Sequence, residues 1–127
     1  MRRLLLILIL AFGFLGYSHV THVEDAPVPH VWTVDDSKAY ARDKLYEWQE
    51  NQFACLDKLW TRESNWRSNA FNKVKVMGKN AGGIPQLLGL SPDTPAPKQI
   101  DRGLDYIIHR YGTPCMAWKF HERKGYY

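Results

Sequence analysis

Residues 59–66 read Leu59-Trp60-Thr61-Arg62-Glu63-Ser64-Asn65-Trp66, with an acid at the end of a helical apolar pattern and beside an aromatic. Leu56, Leu59, Trp60 and Glu63 recur at three- and four-residue spacing, which places them on one face of a helix. An ionised carboxylate on the buried stripe of a helix is costly. At the last turn it also meets the negative end of the helix dipole. Both effects raise the pKa of Glu63, which suits an acid that must hold a proton near neutral pH.

The pattern continues on both sides. Asp35-Asp36-Ser37 is a cluster of N-cap residue types, and it predicts a helix running to about Gln49 with Ala41, Leu45 and Trp48 on its inner face. A second helix, about 52–64, carries Phe53, Leu56, Leu59, Trp60 and Glu63. The two are either one bent helix or a helical pair with Asn51 as the joint. Residues 65–72 are polar and irregular, with Trp66 and Phe71 embedded. Val74 and Val76 alternate with Lys73 and Lys75 ahead of Met77-Gly78-Lys79-Asn80, which predicts a short hairpin. Gly82-Gly83 permits a tight turn or close ligand approach, and Pro85 fits the first turn of a short helix. Residues 91–97 (SPDTPAP) form a stiff loop. Ile100, Leu104, Ile107, Ile108 and Tyr111 then make a helical stripe stopped by Gly112. Thr113-Pro114 opens a last helix through Cys115 and Trp118. The expected fold class is all-α with a minor β part, about five helices and one hairpin over residues 35–127.

The 127 residues suffice for one domain, and 45% hydrophobic with 13% aromatic content is a globular composition with aromatic surface left over for a groove. Residues 1–18 read as a signal peptide or signal-anchor. Arg2 and Arg3 precede an uncharged apolar stretch shorter than the ~18 residues of a spanning helix. Gly16-Tyr17-Ser18 and Ala11-Phe12-Gly13 offer cleavage sites, and an uncleaved anchor is the alternative. Residues 19–34 contain two prolines and no helical period, so they read as an extended linker. Its His19-x-x-His22 and His30 have no Cys or carboxylate at ligand spacing, and no metal site is expected. Without Arg2 and Arg3, 15 basic residues face 13 acidic ones. That balance is too mild for a nucleic-acid partner and compatible with an anionic cell wall. Cys55 and Cys115 are an even count in a chain that looks exported, which favours one disulfide over two buried thiols.

A buried acid at a helix end, a glycine turn with a Gln, and spare aromatics point to a polysaccharide site. Hydrolysis of a glycosidic bond usually needs a second carboxylate, and none belongs with Glu63 by position. Asp57 faces elsewhere on the same helix, and Asp93, Asp101 and Asp105 could be brought close only by the fold. Glu63-Ser64, Ala70 with Asn72, and Ala81-x-Gly83-Ile84-Pro85-Gln86 resemble the signature of lytic transglycosylases of the goose-type lysozyme-like kind. Gln99-Ile100-x-x-Gly103-Leu104-x-Tyr106-Ile107 resembles the next helix of that family. Arg110-Tyr111-Gly112-Thr113-Pro114-Cys115-Met116-Ala117-Trp118 through Gly125-Tyr126-Tyr127 is similar to its small secreted actinobacterial members and their phage relatives. The resemblance spans about residues 38–127.

The resemblance implies a lysozyme-like fold, peptidoglycan glycan strands as substrate, and no metal or organic cofactor. One Glu then acts as acid and base, while the substrate's C6 hydroxyl attacks and leaves a 1,6-anhydro product. Carried over by position, Glu63 is the acid/base and Ser64 supports it. Asn72 and Gln86 bond the sugar, and Gly83 and Ile84 line the groove. Where larger members have Ala-Tyr-Asn, with the Tyr supporting the Glu, this chain has Ala117-Trp118-Lys119. Trp118 can stack on a sugar but offers no hydroxyl, so Tyr106 or Tyr111 substitutes or the support is missing. The Lys-rich hairpin between Asn72 and Ala81 is longer than usual and could contact wall anions.

Blander readings stand beside these. Gln86 could satisfy backbone groups at the glycine turn. Trp60, Trp66 and Trp118 each suit a core, and His109 and His121 fall on solvated helix faces. The expectation is a monomeric secreted or envelope-tethered transglycosylase that meets the membrane only through an uncleaved leader. A hydrolytic muramidase and a non-catalytic glycan-binding module are the alternatives.

Overall fold

The first helix is capped two residues before the start of its acidic cluster. In the computed structural model, which describes residues 30–127, Thr33 is the N-cap of α1 (Val34–Lys44). Its hydroxyl accepts from the Asp36 amide at 3.1 Å, and the Asp36 carboxylate accepts from the Thr33 amide at 2.8 Å. This reciprocal pair is a capping box, so Asp36 serves inside the first turn rather than as the cap. The helix ends at Lys44, short of Gln49, and residues 45–49 form the joint to α2 (Glu50–Ser64). The pair is therefore two helices rather than one bent one. The leader reading of residues 1–18 and most of the 19–34 linker lie outside the described residues. Among the described residues, no helix is long and apolar enough to cross a membrane.

α2 buries the expected stripe: Phe53, Leu56, Leu59 and Trp60 enter the core. It stops abruptly. Asn65 takes the left-handed conformation at φ 51° and Trp66 follows at φ 59°. Asn tolerates that region; a bulky Trp does so rarely. The reversal folds Trp66 back beneath its own helix, where its ring meets Trp60 edge-on at 5.0 Å and its indole N–H donates to Asp57 at 2.8 Å. Burial of the large ring holds the strained backbone in place.

The chain then forms a three-stranded antiparallel sheet in the order β1 (Phe71–Val76), β2 (Lys79–Gly82), β3 (Leu87–Leu88). Met77 and Gly78, both at positive φ, make the two-residue turn between β1 and β2. Val74 and Val76 stay exposed, as do Lys73 and Lys75, so the period-2 pattern does not mark a covered face. The helix expected at Pro85 is a single turn instead. Gln86 sits at φ 52°, which a right-handed helix excludes, and the chain continues into β3. The described residues thus hold four helices and a small sheet.

α3 (Ala96–Tyr111) ends at Gly112 with φ 84°. Thr113 caps α4 (Pro114–Lys124), with its hydroxyl accepting from the Met116 amide at 3.2 Å and Pro114 inside the first turn. Cys55 and Cys115 are disulfide-bonded with their Cα atoms 4.9 Å apart. The bridge clamps the start of α4 to α2 across a separation of 60 residues, worth up to about 4 kcal/mol in the chain-entropy account.

Gln99 joins α3 to the sheet side. It is fully buried. Its amide oxygen accepts from Ile84 N–H at 2.8 Å, and its amide nitrogen donates to the carbonyls of Ser68 at 3.0 Å and Thr94 at 2.7 Å. Three loops are tied by one side chain. Gly83, at φ 73°, lies so close to it that a Cβ would stand 2.5 Å from the Gln99 oxygen. Replacing Gln99 by Leu strands those buried groups, so the variant is expected to lose about 3 kcal/mol of unfolding free energy or more. Urea denaturation measures it; a loss under about 1 kcal/mol contradicts the role assigned here.

Candidate functional site

Glu63 lies in the last turn of α2, one turn beyond Trp60 on the same stripe. There the helix meets α4 on one side and the sheet with its terminal segment on the other. The carboxyl forms one wall of a cleft of about 460 Å³. Asn72 and Val76 of β1, Ala81 of β2, Gln86 and Leu88 about β3, and Gly125, Tyr126 and Tyr127 complete the lining. Glu63 is the sole carboxylate among those residues. Asp57 is engaged with Trp66 and Lys38, and Asp101 with Tyr40 and Lys44.

The Glu63 side chain is only 18% exposed. Burial raises its pKa from 4.5 to about 7, because removing water disfavours the charged form. Its close polar neighbour is His121 of α4, whose Nε2 is 2.9 Å from Oε1 of Glu63. Such a distance would suit an ion pair, yet both groups are shifted against ionisation. His121 is held below its usual pKa by burial first, then by Arg62, against a smaller pull from Glu122. Desolvation of both partners decides the matter. Burial thus works against charge on both members of the pair, favouring the carboxylic acid and the neutral imidazole.

Each residue expected at the site has a definite place. Ser64 is buried beneath it, and its hydroxyl donates to the Ile84 carbonyl at 2.7 Å. Ser64 therefore pins the end of α2 to the turn that carries Gln86 and does not face the cleft. Asn72 lines the cleft from β1, where its side-chain oxygen accepts from the Val74 amide at 2.9 Å. Gly83 and Ile84 do not line the groove: both are buried, because the turn is drawn inward by Gln99 and Ser64. Gln86 does line it. Its amide nitrogen donates to the carbonyls of Gly83 at 3.0 Å and Ala70 at 3.3 Å, so a ligand would meet the amide oxygen.

Tyr106 borders a smaller neighbouring cavity of about 220 Å³ with Gln86, Leu87, Leu88 and Tyr127. Neither Tyr106 nor Tyr111 hydrogen-bonds Glu63: Tyr111 accepts from Arg110, and both rings pack on Tyr127. Trp118 is on the far side of the Glu63–His121 pair, with its ring stacked on the His121 imidazole at 5.7 Å and 13°. It borders two surface depressions and not the Glu63 cleft.

Sequence reasoning placed His121 in solvent, whereas its side chain is 11% exposed and faces Glu63. The disulfide carried the missed signal. Glu63 follows Cys55 by eight residues and His121 follows Cys115 by six, so two helices clamped at those cysteines run on to bring the pair together. Tyr127 was also missed. Its hydroxyl donates to the Pro85 carbonyl at 2.6 Å and accepts from the Trp60 indole at 3.0 Å, fixing one cleft wall to the core.

No protein-family model, curated protein or solved structure matches this chain.

The raised pKa has a sign that stability measurements can read. The folded protein holds the Glu63 proton more tightly than the unfolded chain does. Folding is therefore progressively disfavoured as pH rises from the unfolded value of 4.5 through the folded value of about 7, by about 3 kcal/mol in all. Glu63→Gln removes this cost. Its melting temperature is expected to exceed that of the wild type at about pH 8 and to converge with it at about pH 4. Equal melting temperatures at the higher pH would count against a desolvated carboxyl.

Proposed function

We propose that the protein is a peptidoglycan lytic transglycosylase with a lysozyme-like fold, in which Glu63 is the single acid/base. One observation carries the reading. A carboxyl, shielded from water enough to keep its proton near neutral pH, stands in the wall of a cleft whose lining has no second carboxylate among the described residues. A hydrolase of the ordinary two-carboxylate kind lacks its partner here. Chemistry in which the substrate supplies its own nucleophile does not need one. The ordered segments from Glu63-Ser64 to Gly125-Tyr126-Tyr127 that resemble this family support the same choice.

In this reading the glycan lies along the cleft between α2 and the sheet. Asn72 and the Gln86 amide oxygen offer polar contacts, and Tyr126 offers an exposed ring for a sugar face. Glu63 protonates the bridging oxygen between the muramic acid C1 and the next sugar's C4, and that bond breaks. The carboxylate left behind faces the developing positive charge at C1. It then takes the proton of the muramic acid C6 hydroxyl as that oxygen bonds C1. Glu63 ends protonated, the product is a 1,6-anhydro sugar, and no water is consumed. Export and the cell envelope as the place of action follow from the substrate and from the leader-like residues 1–18.

Purified peptidoglycan digested with the protein and analysed by mass spectrometry tests the reading. Anhydro-muropeptides are expected, and Glu63→Gln should lower their rate of release by about 100-fold or more while the fold is retained. Fragments with reducing ends would identify a muramidase. Binding to the wall with no release, unchanged by Glu63→Gln, would identify a glycan-binding module.

A further inference from the structure

A carboxyl that acts as acid and then base needs one oxygen held and the other free to exchange its proton. Ser64 is spent on the Ile84 carbonyl, Tyr127 on Pro85 and Trp60, and the rings of Tyr106 and Tyr111 pack against Tyr127. Among the described residues, only His121 reaches Glu63, with Nε2 at 2.9 Å from Oε1. One face of its ring is flanked by Trp118, one turn earlier on α4, which lies nearly parallel to it with ring centroids 5.7 Å apart. The imidazole also borders a depression of about 350 Å³ with Arg62, Trp118, Glu122 and Gly125, which adjoins the Glu63 cleft at Gly125. The pair stands between the two, with Glu63 lining the cleft and His121 lining the neighbouring depression.

Resting on the acid/base reading of Glu63, we infer that His121 is its positioning residue: the neutral imidazole donates its Nε2–H to Oε1 and leaves Oε2 as the oxygen that exchanges a proton with the cleft. The opposite arrangement, in which the Glu63 proton lies on Oε1 and bonds Nε2, would bury the exchangeable proton between the two side chains and away from the cleft. The Nε2–H tautomer works in both halves of the cycle, because a fixed N–H donor also stabilises the carboxylate formed after proton transfer. A cationic His121 would instead favour ionised Glu63 before substrate is bound. The surroundings oppose that cation. Arg62 of α2 faces it with like charge, and only Glu122 of α4 favours it. The terminal segment brings only the phenols Tyr126 and Tyr127, and the sheet side of the cleft lining has no charged side chain. A histidine thus does here what a hydroxyl would do from the position occupied by Trp118, one turn back on the same helix.

Two variants and one spectrum test this. His121→Gln retains a neutral N–H donor of similar reach and cannot become charged, while His121→Leu fills the space and donates nothing. On peptidoglycan, His121→Gln is expected to stay within about threefold of wild type and His121→Leu to fall by roughly 10- to 100-fold, with its alkaline limb moved to higher pH. Nitrogen-15 shifts of the labelled imidazole should report Nε2 protonated and Nδ1 bare in the wild type at about pH 6.5. Equal losses in two folded variants, an unaffected His121→Leu, or the Nδ1–H tautomer would each overturn the inference. Glu63→Gln run beside them separates the claims. If it stays active, the acid/base reading of Glu63 has failed; if it is inactive while His121→Leu is not, only the role of His121 has. The imidazole spectrum decides the tautomer whether or not peptidoglycan is the substrate.

Discussion

Keeping a carboxyl group out of water is the constraint on which this structure turns. Glu63 occupies the position on α2 where one more apolar residue would extend the stripe of Leu56, Leu59 and Trp60. The neighbouring helix seals one side of it with His121 and Trp118, and the terminal tyrosines and the sheet bound the other. Burial of that kind destabilises the ionised form and so opposes folding at alkaline pH. The disulfide between α2 and α4 is well placed to offset the cost, because it joins the two helices that form the seat.

The cleft also needs its opposite wall held at a fixed distance from Glu63. Buried polar bonds do this. Gln99 draws Ile84 and the loops at Ser68 and Thr94 toward α3, and Ser64 ties the same Ile84 to the end of α2. Two glycines make room: Gly83 against the Gln99 amide, and Gly103 where a Cβ would stand 2.6 Å from the Trp60 ring. Tyr127 adds a third tie by bridging Trp60 and Pro85. The glycine-turn segment thus reaches the cleft at its two ends, Ala81 and Gln86, with its Gly-Ile part serving as foundation rather than lining.

Several of these features were legible in the residues. The three-four spacing through Trp60 to Glu63, the Gly112 stop and the Thr113-Pro114 start are local signals, the even cysteine count is a compositional one, and each stands as read. What could not be read was set by partners distant in the chain. His121 is polar on a helix of weak amphipathic pattern, and only the packing of α4 on α2 tells which side it faces. Gln99 looks like any polar residue in a first helical turn until its acceptors at Ser68 and Thr94 are brought to it. Thr33, the actual cap, is masked in the sequence by the richer Asp35-Asp36-Ser37 cluster just after it. The turn at Pro85 was misjudged because a positive φ at Gln86 leaves no mark on the residue type. The alternating valines predicted a strand correctly but not its exposure, since pairing and covering are separate conditions.

The account stands on the protonation of one side chain. Carbon-13 NMR of the Glu63 carboxyl, followed across a pH titration of the folded wild-type protein, reads it directly. A midpoint near 7 is what burial between α2, α4 and the terminal tyrosines requires. A midpoint near 4.5, the value of a carboxyl in free solution, would mean that water reaches Glu63 and that the cleft does not keep the acid its chemistry demands.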